Sequence, residues 1–250
     1  MSYLLVAVLL LNSMSAFGAS PPEPRPPLDE VLARLDHLFR GTTAYAELRM
    51  SIVTPNWERT LEVRCWSEGL DKTFMVLDAP KKDKGIATLR LGTEMWNYFP
   101  RIDKEMKIPP SMMLGSWMGS DFTNDDLVKE ASLLRDYQAR YAESEVPGRL
   151  VLELTPRQGT VSLWGRIVTT LDAATLLPLR EVYHDEHGKA VRELVFSEPR
   201  DFGGRTVPTV LTLHPLTKPG HKTVIRYEKL SLDQPLPDGV FSLRNLRAKH

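Results

Sequence analysis

Three serines and two aspartates in one stretch of the chain are the residues that could support hydrolytic chemistry. Ser111, Ser116 and Ser120 precede Asp125 and Asp126, so hydroxyl groups and carboxylates are close in sequence. A serine nucleophile needs a base beside it. The chain has no Gly-x-Ser-x-Gly elbow, phosphate-binding glycine loop or His-Glu-x-x-His helix. We therefore predict no catalytic residues and no enzyme, with a hydrolase as the weaker alternative.

Histidine and cysteine are too scattered along the chain for a metal centre. His184 and His187 flank a predicted turn, and the other histidines are isolated. Zinc sites need three or four such ligands at close spacing. We expect no metal ion and no other cofactor. The single cysteine, Cys65, excludes an intrachain disulfide, and its alternation with Leu61 and Val63 predicts a small buried hydrophobic side chain.

Methionine and aromatic side chains are concentrated between residues 94 and 130, where the regular pattern of the chain is interrupted. Methionine is flexible and polarizable, so a surface rich in it adapts to ligands of variable shape, such as acyl chains. Prolines and glycines in the same segment indicate irregular backbone, where ordinary core is scarce. We predict a mobile apolar lid over a cavity, although simple core filling is the alternative. The predicted ligand-contacting residues are Trp96, Tyr98, Met106, Met112, Met113, Leu114, Trp117, Met118 and Phe122.

The end of this segment has the pattern of a helix N-terminus. Thr123 stands three residues before Asp126, which is the spacing of a capping box, and apolar residues from Leu127 to Leu134 follow. Asp125 and Asp126 also oppose the positive end of the helix dipole. We therefore predict that Thr123, Asp125 and Asp126 cap a short helix and have no part in acid–base chemistry.

The elements that must position this segment are one helix and a series of short strands. Apolar residues from Leu28 to Phe39 follow helical spacing, and Gly41 is the predicted stop. From Ala44 onward the period changes to two, with apolar positions turned inward and charged positions turned to water. Turns at 185–188 and 202–205 contain the glycines that hairpins favour. The predicted strands are 44–52, 61–65, 73–77, 87–91, 150–154, 165–171, 179–183, 191–195, 207–213 and 224–230.

About a dozen short strands favour one curved antiparallel sheet, a sandwich or a barrel over any βαβ arrangement. We assign residues 28–250 to one mainly β domain. Residues 1–18 have the apolar run and small residues of an export signal, and residues 19–27 form a proline-rich leader. The apolar run is too short to span a membrane. Basic and acidic residues are equal at 32 each, so no net charge attracts nucleic acid or an anionic membrane.

Two sequence stretches resemble a known family. Residues 108–113, IPPSMM, and residues 115–127, GSWMGSDFTNDDL, are similar to the signature of LolA-like outer-membrane lipoprotein-sorting proteins. The similarity extends less sharply to residues 171–179 and 236–246. It implies a single antiparallel, strongly curved and incomplete β-barrel with a helical lid over an apolar cavity. It also implies a periplasmic carrier that moves lipoproteins or related lipids between membranes.

The same resemblance implies which partners the protein has and whether it is lipidated. The expected partners are lipoprotein acyl chains or another lipid, together with an inner-membrane transporter of the resistance-nodulation-division (RND) or ABC type. The alternative role is an accessory protein of an RND-type exporter. Cys65 lies too far along the chain to be a lipidated N-terminal residue, so we expect a soluble, non-lipidated monomer. Arg49 and Arg64 are both candidates for the arginine that gates the lid in this family.

Overall fold

A computed structural model describes residues 25–124, 126, 132–160 and 162–250. Within these residues, thirteen strands form one antiparallel sheet accompanied by three short α-helices and two 3-10 helices (Pro100–Ile102 and Pro110–Met112), which confirms the predicted fold class. The helices are α1 (Leu28–Asp36), α2 (Leu133–Asp136) and α3 (Leu243–Leu246). The strands are β1 (Thr43–Val53), β2 (Glu58–Glu68), β3 (Lys72–Ala79), β4 (Ala87–Leu91), β5 (Glu94–Phe99), β6 (Lys104–Lys107), β7 (Tyr137–Ala142), β8 (Arg149–Pro156), β9 (Arg166–Asp172), β10 (Pro178–His184), β11 (Ala190–Phe202), β12 (Arg205–Pro215) and β13 (Lys222–Leu232).

The sheet is curved but does not close into a barrel. Its strand order is β6-β5-β4-β3-β2-β1-β13-β12-β11-β10-β9-β8-β7, so the first and last strands of the chain meet in its middle. Ala46 of β1 lies opposite Leu230 of β13. In the described part of the chain, β6 and β7 are the edges, and they are consecutive in sequence. The connection between them, residues 108–136, must therefore pass from one edge of the sheet to the other, and we call it the crossing segment.

The concave face carries much of the apolar alternation seen in the sequence. Ala46 and Met50 of β1 are 5% and 4% exposed, and Val63 of β2 is 3% exposed. Helix α1 covers another part of this face, where Val31 and Leu32 pack against strands β7, β8 and β9. Burial of these side chains holds the helix to the sheet, since a helix of nine residues has little stability alone.

Helix α1 is shorter than the sequence pattern indicates and ends at Asp36. The Asp36 carboxylate accepts hydrogen bonds from the Leu133 backbone N–H at 2.7 Å and the Ser132 hydroxyl at 2.8 Å, which ties α1 to the start of α2. Gly41 follows with a φ of +58°, and a Cβ atom there would lie 2.2 Å from the Asp233 carboxylate. Glycine is therefore required for both its conformation and its lack of a side chain.

The outer face of the sheet is only partly polar. On β2 and β3, Arg64 donates two hydrogen bonds to the Asp78 carboxylate, at 2.6 and 2.9 Å. Over β3 to β5, however, Phe74 and Leu89 pack beneath Leu246 of the C-terminal segment. The expectation that only charged positions face outward is therefore wrong for these strands, because the end of the chain covers them.

Three strands were not expected from the sequence. Strands β5 and β6 lie within the segment for which irregular backbone is predicted, and β7 follows it. On β5, Met95 belongs to the core on the concave side, whereas Trp96 and Tyr98 pack on the outer side. Because both faces of this strand are covered, its apolar residues do not alternate with polar ones.

The predicted signal peptide and most of the proline-rich leader lie outside the described residues. Residues 25–27 have no regular secondary structure, and the Tyr141 hydroxyl of edge strand β7 donates a hydrogen bond to the Pro26 carbonyl at 2.7 Å. No helix in the described ranges has the length and hydrophobicity that a membrane span requires.

Replacing Leu246 by alanine tests the outer core. Leu246 is fully buried against β3–β5, so Leu246→Ala should cost about 2–5 kcal/mol of unfolding free energy. The melting temperature should then fall by roughly 5–15 °C in a chain of this size, as measured by calorimetry. Leu216→Ala, at a position 47% exposed in the β12–β13 turn, is the control. An equal effect of the two substitutions would contradict this packing.

Candidate ligand-binding cavity

A cavity of about 400 Å³ lies against the concave face of the sheet. This volume falls within the range of roughly 300–1,000 Å³ that small-molecule sites occupy. Strands from both halves of the sheet, helix α1 and the segment between β6 and β7 contribute to its wall, which is mainly apolar. Its central lining includes Ala46, Leu48, Met50, Met75, Leu211 and Ile225.

Of the nine predicted ligand-contacting residues, Trp117 and Phe122 line the cavity. Trp117 is only 2% exposed, and its indole N–H donates a hydrogen bond to the Thr88 hydroxyl at 3.2 Å. Its backbone N–H also donates to the Phe122 carbonyl at 2.8 Å. The part of the crossing segment that carries Trp117 is thus packed and hydrogen-bonded to the sheet.

The other predicted residues lie elsewhere. Trp96 and Tyr98 do not line the cavity, because the pleat of β5 turns them to the outer face, so their predicted placement is wrong. Met112 and Leu114 are 49% and 59% exposed. The remaining three pack against the core cluster around Trp117 without lining the cavity; they are Met106, Met113 and Met118.

Thr123 and Asp126 form a reciprocal pair of hydrogen bonds. The Thr123 N–H donates to the Asp126 carboxylate at 2.8 Å, and the Asp126 N–H donates to the Thr123 hydroxyl at 3.0 Å. This is the geometry of a capping box. Asp125 and residues 127–131, where the predicted helix would continue, lie outside the described residues. Asp126 also accepts a hydrogen bond from Arg192 at 2.8 Å, so it links the crossing segment to β11.

Arg192 is the centre of a buried polar cluster in the cavity wall. Its guanidinium lies between two aromatic rings, 4.2 Å from the Trp164 centroid and 4.1 Å from the Tyr183 centroid. Burial lowers the pKa of Arg192, but the nearby Asp126 carboxylate and Tyr183 hydroxyl outweigh burial, and the net pKa is raised. Arg192 therefore stays charged inside the apolar cavity.

Glu181 lies beside this cluster and also lines the cavity. Its carboxylate accepts a hydrogen bond from the Tyr183 hydroxyl. Burial raises the pKa of Glu181 above its ordinary value, because the ionised form loses hydration there, although Tyr183 and Arg192 oppose this shift. Neither Glu181 nor Arg192 was identified from the sequence.

The two arginines considered for a gating role lie outside the cavity. Arg64 is paired with Asp78 on the outer face, and Arg49 lies near Glu62 and is half exposed. The arginines that line the cavity are Arg40, just after α1, and Arg192. The strands of Arg49 and Arg64 turn both side chains away from the concave face.

Cys65 lines the cavity near Arg40. Burial raises the pKa of the Cys65 thiol to about 11, although the positive charge of Arg40 opposes this shift. The thiol is therefore protonated at neutral pH, and a protonated thiol is a poor nucleophile.

The serines of the hydrolase alternative make structural hydrogen bonds. The Ser120 hydroxyl donates to the Trp117 carbonyl at 2.8 Å, and the Ser116 hydroxyl donates to the Ser120 carbonyl. Ser111 is exposed. Among the residues that the structure describes, none of these three hydroxyls has a histidine or carboxylate hydrogen-bond partner, and no three potential metal ligands form a group. A serine nucleophile needs such a base to be activated.

An unclosed antiparallel sheet curved around an apolar cavity, with a segment crossing between its edges, defines a protein of the LolA-like fold. Solved structures that share it include the following three. A DUF1329 family protein from Desulfovibrio piger is 27% identical, with a TM-score of 0.78, over 87% of this chain and 97% of that chain. A putative outer membrane lipoprotein-sorting protein domain from Vibrio parahaemolyticus is 21% identical, with a TM-score of 0.75, over 88% and 98%. The LolA superfamily protein NE2245 from Nitrosomonas europaea is 18% identical, with a TM-score of 0.71, over 86% and 97%.

The model of a family described as uncharacterized proteins matches residues 69–248, which is most of the chain. This chain belongs to that family, and it shares the fold of the LolA-like proteins that its sequence resembles. No curated protein matches it.

Glu181→Gln tests the buried carboxyl through the pH dependence of stability. The folded pKa of Glu181 is raised. The protonated carboxyl therefore adds to the free energy of unfolding. This contribution is fully present below the pKa of the unfolded chain, about 4.3, and is lost as the pH rises through the folded pKa. Glutamine is neutral throughout, so the variant should melt at a higher temperature than the wild type at pH 7.5 and at the same temperature near pH 4. Glu186→Gln, in the exposed β10–β11 turn, should change neither value. A variant less stable at pH 7.5 would refute the assignment.

Proposed function

We propose that this chain is a periplasmic carrier that encloses an acyl chain of a lipoprotein or another lipid and moves it between membranes. The observation that supports this role most directly is the apolar cavity of about 400 Å³ on the concave face. The LolA-like fold and the export signal predicted for residues 1–18 agree with it. The cargo is an amphiphile whose tail, rather than its head, supplies most of the binding energy.

The energetic reason for a carrier is the cost of exposing hydrocarbon to water. Each methylene group contributes about 0.8 kcal/mol on burial, so a chain of about sixteen carbons represents on the order of 13 kcal/mol. A soluble carrier must recover most of this energy by enclosing the chain. The apolar side chains around Met50 and Leu211 can do so without hydrogen-bonding demands of their own.

Exposed apolar side chains support a second role, that of an accessory protein docking on an inner-membrane transporter. Met112 and Leu114 belong to the crossing segment, and Trp57, in the β1–β2 turn, is 46% exposed. The Trp57 ring reaches Gly119 of the same segment. Exposed apolar side chains of this size are found at interaction sites. A pulldown that recovers a transporter from membranes while the protein carries no lipid would favour this role over the carrier.

Ala46→Phe tests the carrier role because the larger side chain fills part of the cavity. Ala46 lines the cavity, whereas Arg49 of the same strand is on the outer face, so Arg49→Phe adds the same ring without occupying the cavity. Native mass spectrometry of protein purified from the periplasm should detect a bound amphiphile on the wild type and on Arg49→Phe. Ala46→Phe should retain less than about a tenth of it, because a ring of this size excludes several methylenes.

Melting temperatures of the two variants serve as the control for folding. If Ala46→Phe melts within a few degrees of the wild type and still retains the full amount of amphiphile, the cavity is not the binding site. If no amphiphile accompanies any form and none binds when added, the carrier role is wrong.

A further inference from the structure

Four turns of the sheet lie together at one of its ends, because alternate turns of an antiparallel sheet share an end. They connect strands in the part of the sheet that runs from β6 to β12. A Cβ atom on Gly85 would lie 3.2 Å from the Pro100 ring, so the β3–β4 and β5–β6 turns are in contact. A Cβ atom on Gly220 would lie 3.0 Å from the Pro55 ring, so the β12–β13 turn adjoins the β1–β2 turn. The four turns are residues 54–57, 80–86, 100–103 and 216–221.

Basic side chains predominate in these four turns. The two acidic residues there already have partners. Asp83 is paired with Arg59 at 2.5 Å, and Asp103 accepts a hydrogen bond from the Tyr98 hydroxyl at 2.8 Å. Basic and acidic residues are equal in number over the whole chain, so the positive excess is local. We call this surface the basic end, and its exposed basic residues are Lys81, Lys82, Lys84, Arg101 and Lys218.

The turns at the other end of the sheet have the opposite character. No lysine or arginine occurs in residues 69–71, 92–93, 143–148, 173–177 and 203–204. These turns contain three exposed acidic side chains, Asp71, Glu143 and Glu145. Positive and negative charge are therefore separated along the strands, and such a separation orients a protein in the field of a charged surface.

The basic end also exposes large apolar side chains. Trp57, Ile102 and Leu216 are 46%, 68% and 47% exposed, and they are three of the six such side chains in the described part of the chain. Each belongs to a different turn. The core of a protein interface has few lysines, whereas tryptophan and aliphatic side chains among basic residues are typical of proteins that lie on a bilayer. The composition of this surface therefore favours a bilayer over a protein partner.

We propose that the basic end docks on the surface of a bilayer that contains anionic phospholipids. The lysines and Arg101 lie against the lipid phosphates, and Trp57, Ile102 and Leu216 enter the head-group layer. This inference goes beyond the carrier role and does not depend on it, because none of these side chains lines the cavity.

The crossing segment reaches the basic end, which links docking to the cavity. The Met118 carbonyl accepts a hydrogen bond from the Arg59 guanidinium at 3.3 Å. The Asp121 N–H donates to the Thr223 hydroxyl of β13 at 3.0 Å. Trp117, next to Met118 in the chain, lines the cavity. A bilayer at the basic end would therefore lie close to the cavity wall, where a carrier would exchange its cargo.

The test measures co-sedimentation of the purified protein with vesicles of phosphatidylcholine alone or with about a third phosphatidylglycerol. At low salt the protein should bind the anionic vesicles at least about tenfold more tightly. Salt at about 0.5 M should remove this difference, because it screens the attraction between exposed charges.

A double variant tests the basic residues. Lys81→Gln/Lys82→Gln should bind the anionic vesicles roughly thirtyfold more weakly, since each lysine near an anionic surface contributes about fivefold. Arg34→Gln/Arg200→Gln removes the same charge from exposed positions on α1 and β11, outside the basic end, and should bind like the wild type.

Ile102→Ser tests the apolar contacts at a position exposed enough to leave folding unaffected. It should weaken binding to the anionic vesicles about fivefold, because less apolar surface enters the bilayer. Val146→Ser, at a position 58% exposed in the β7–β8 turn of the opposite end, is the matched control and should have no effect. Melting temperatures within a few degrees of the wild type confirm that each variant is folded.

Three outcomes would overturn the proposal: no binding to the anionic vesicles, equal binding to both kinds of vesicle, or equal binding of the two double variants. Binding only to anionic vesicles reconstituted with inner-membrane proteins would also overturn it and would identify a protein as the occupant. The substitutions leave the cavity unchanged, so the amphiphile measured by native mass spectrometry tests the carrier role separately.

Discussion

The structure depends on the two edges of its sheet remaining apart. Strands β6 and β7 each have one neighbour, and the chain passes directly from one to the other. In a closed barrel β6 and β7 would be neighbours, and the chain would need no such crossing. Because the sheet stays open, the apolar concave face must be covered by something else, and the crossing segment and α1 both cover it.

Around Trp117 the crossing segment packs closely and is hydrogen-bonded to the sheet, whereas around Met50 and Leu211 the same face borders the cavity. A well-packed plug beside an open apolar space can hold a flexible hydrocarbon while the fold remains stable.

Burial of charged groups inside the cavity lowers the stability of the fold unless they are paired. Breaking a buried ion pair such as that of Arg192 and Asp126 destabilises a protein by about 3–5 kcal/mol, whereas apolar replacements of the whole pair are often neutral. Stability alone therefore does not explain why this charged pair is present. The pair joins β11 to the crossing segment. The mainly apolar cavity wall thus also contains charged groups, which matches an amphiphile better than a purely apolar ligand.

The fold was more predictable from the sequence than the site, for physical reasons that particular residues illustrate. Strands such as β1 bury one face only, so their alternation is visible and their boundaries are nearly right. Strand β5 is covered on both faces, so its sequence lacks the alternation of a half-buried strand. The sequence therefore predicts a lid at Trp96 and Tyr98, although both side chains pack under the C-terminal segment. On β11 the sequence pattern predicts that the valines at 191 and 195 face inward. The structure instead turns Arg192 to the cavity. A shift of one residue reverses the faces of a strand, and only the pairing with its neighbours fixes that choice. By contrast, the spacing of Thr123 and Asp126 is local, and their reciprocal hydrogen bonds match it.

Occupation of the concave cavity by hydrocarbon is tested most directly by nuclear Overhauser effects between a bound acyl chain and methionine methyl groups. Met50 and Met75 line the cavity, whereas Met112 is exposed on the crossing segment. With methyl-labelled methionine and a perdeuterated protein background, the chain protons should show cross-peaks to Met50 and Met75 and none to Met112. Cross-peaks confined to Met112 would show that lipid binds the surface of the protein, and the cavity would then not be the site that carries it.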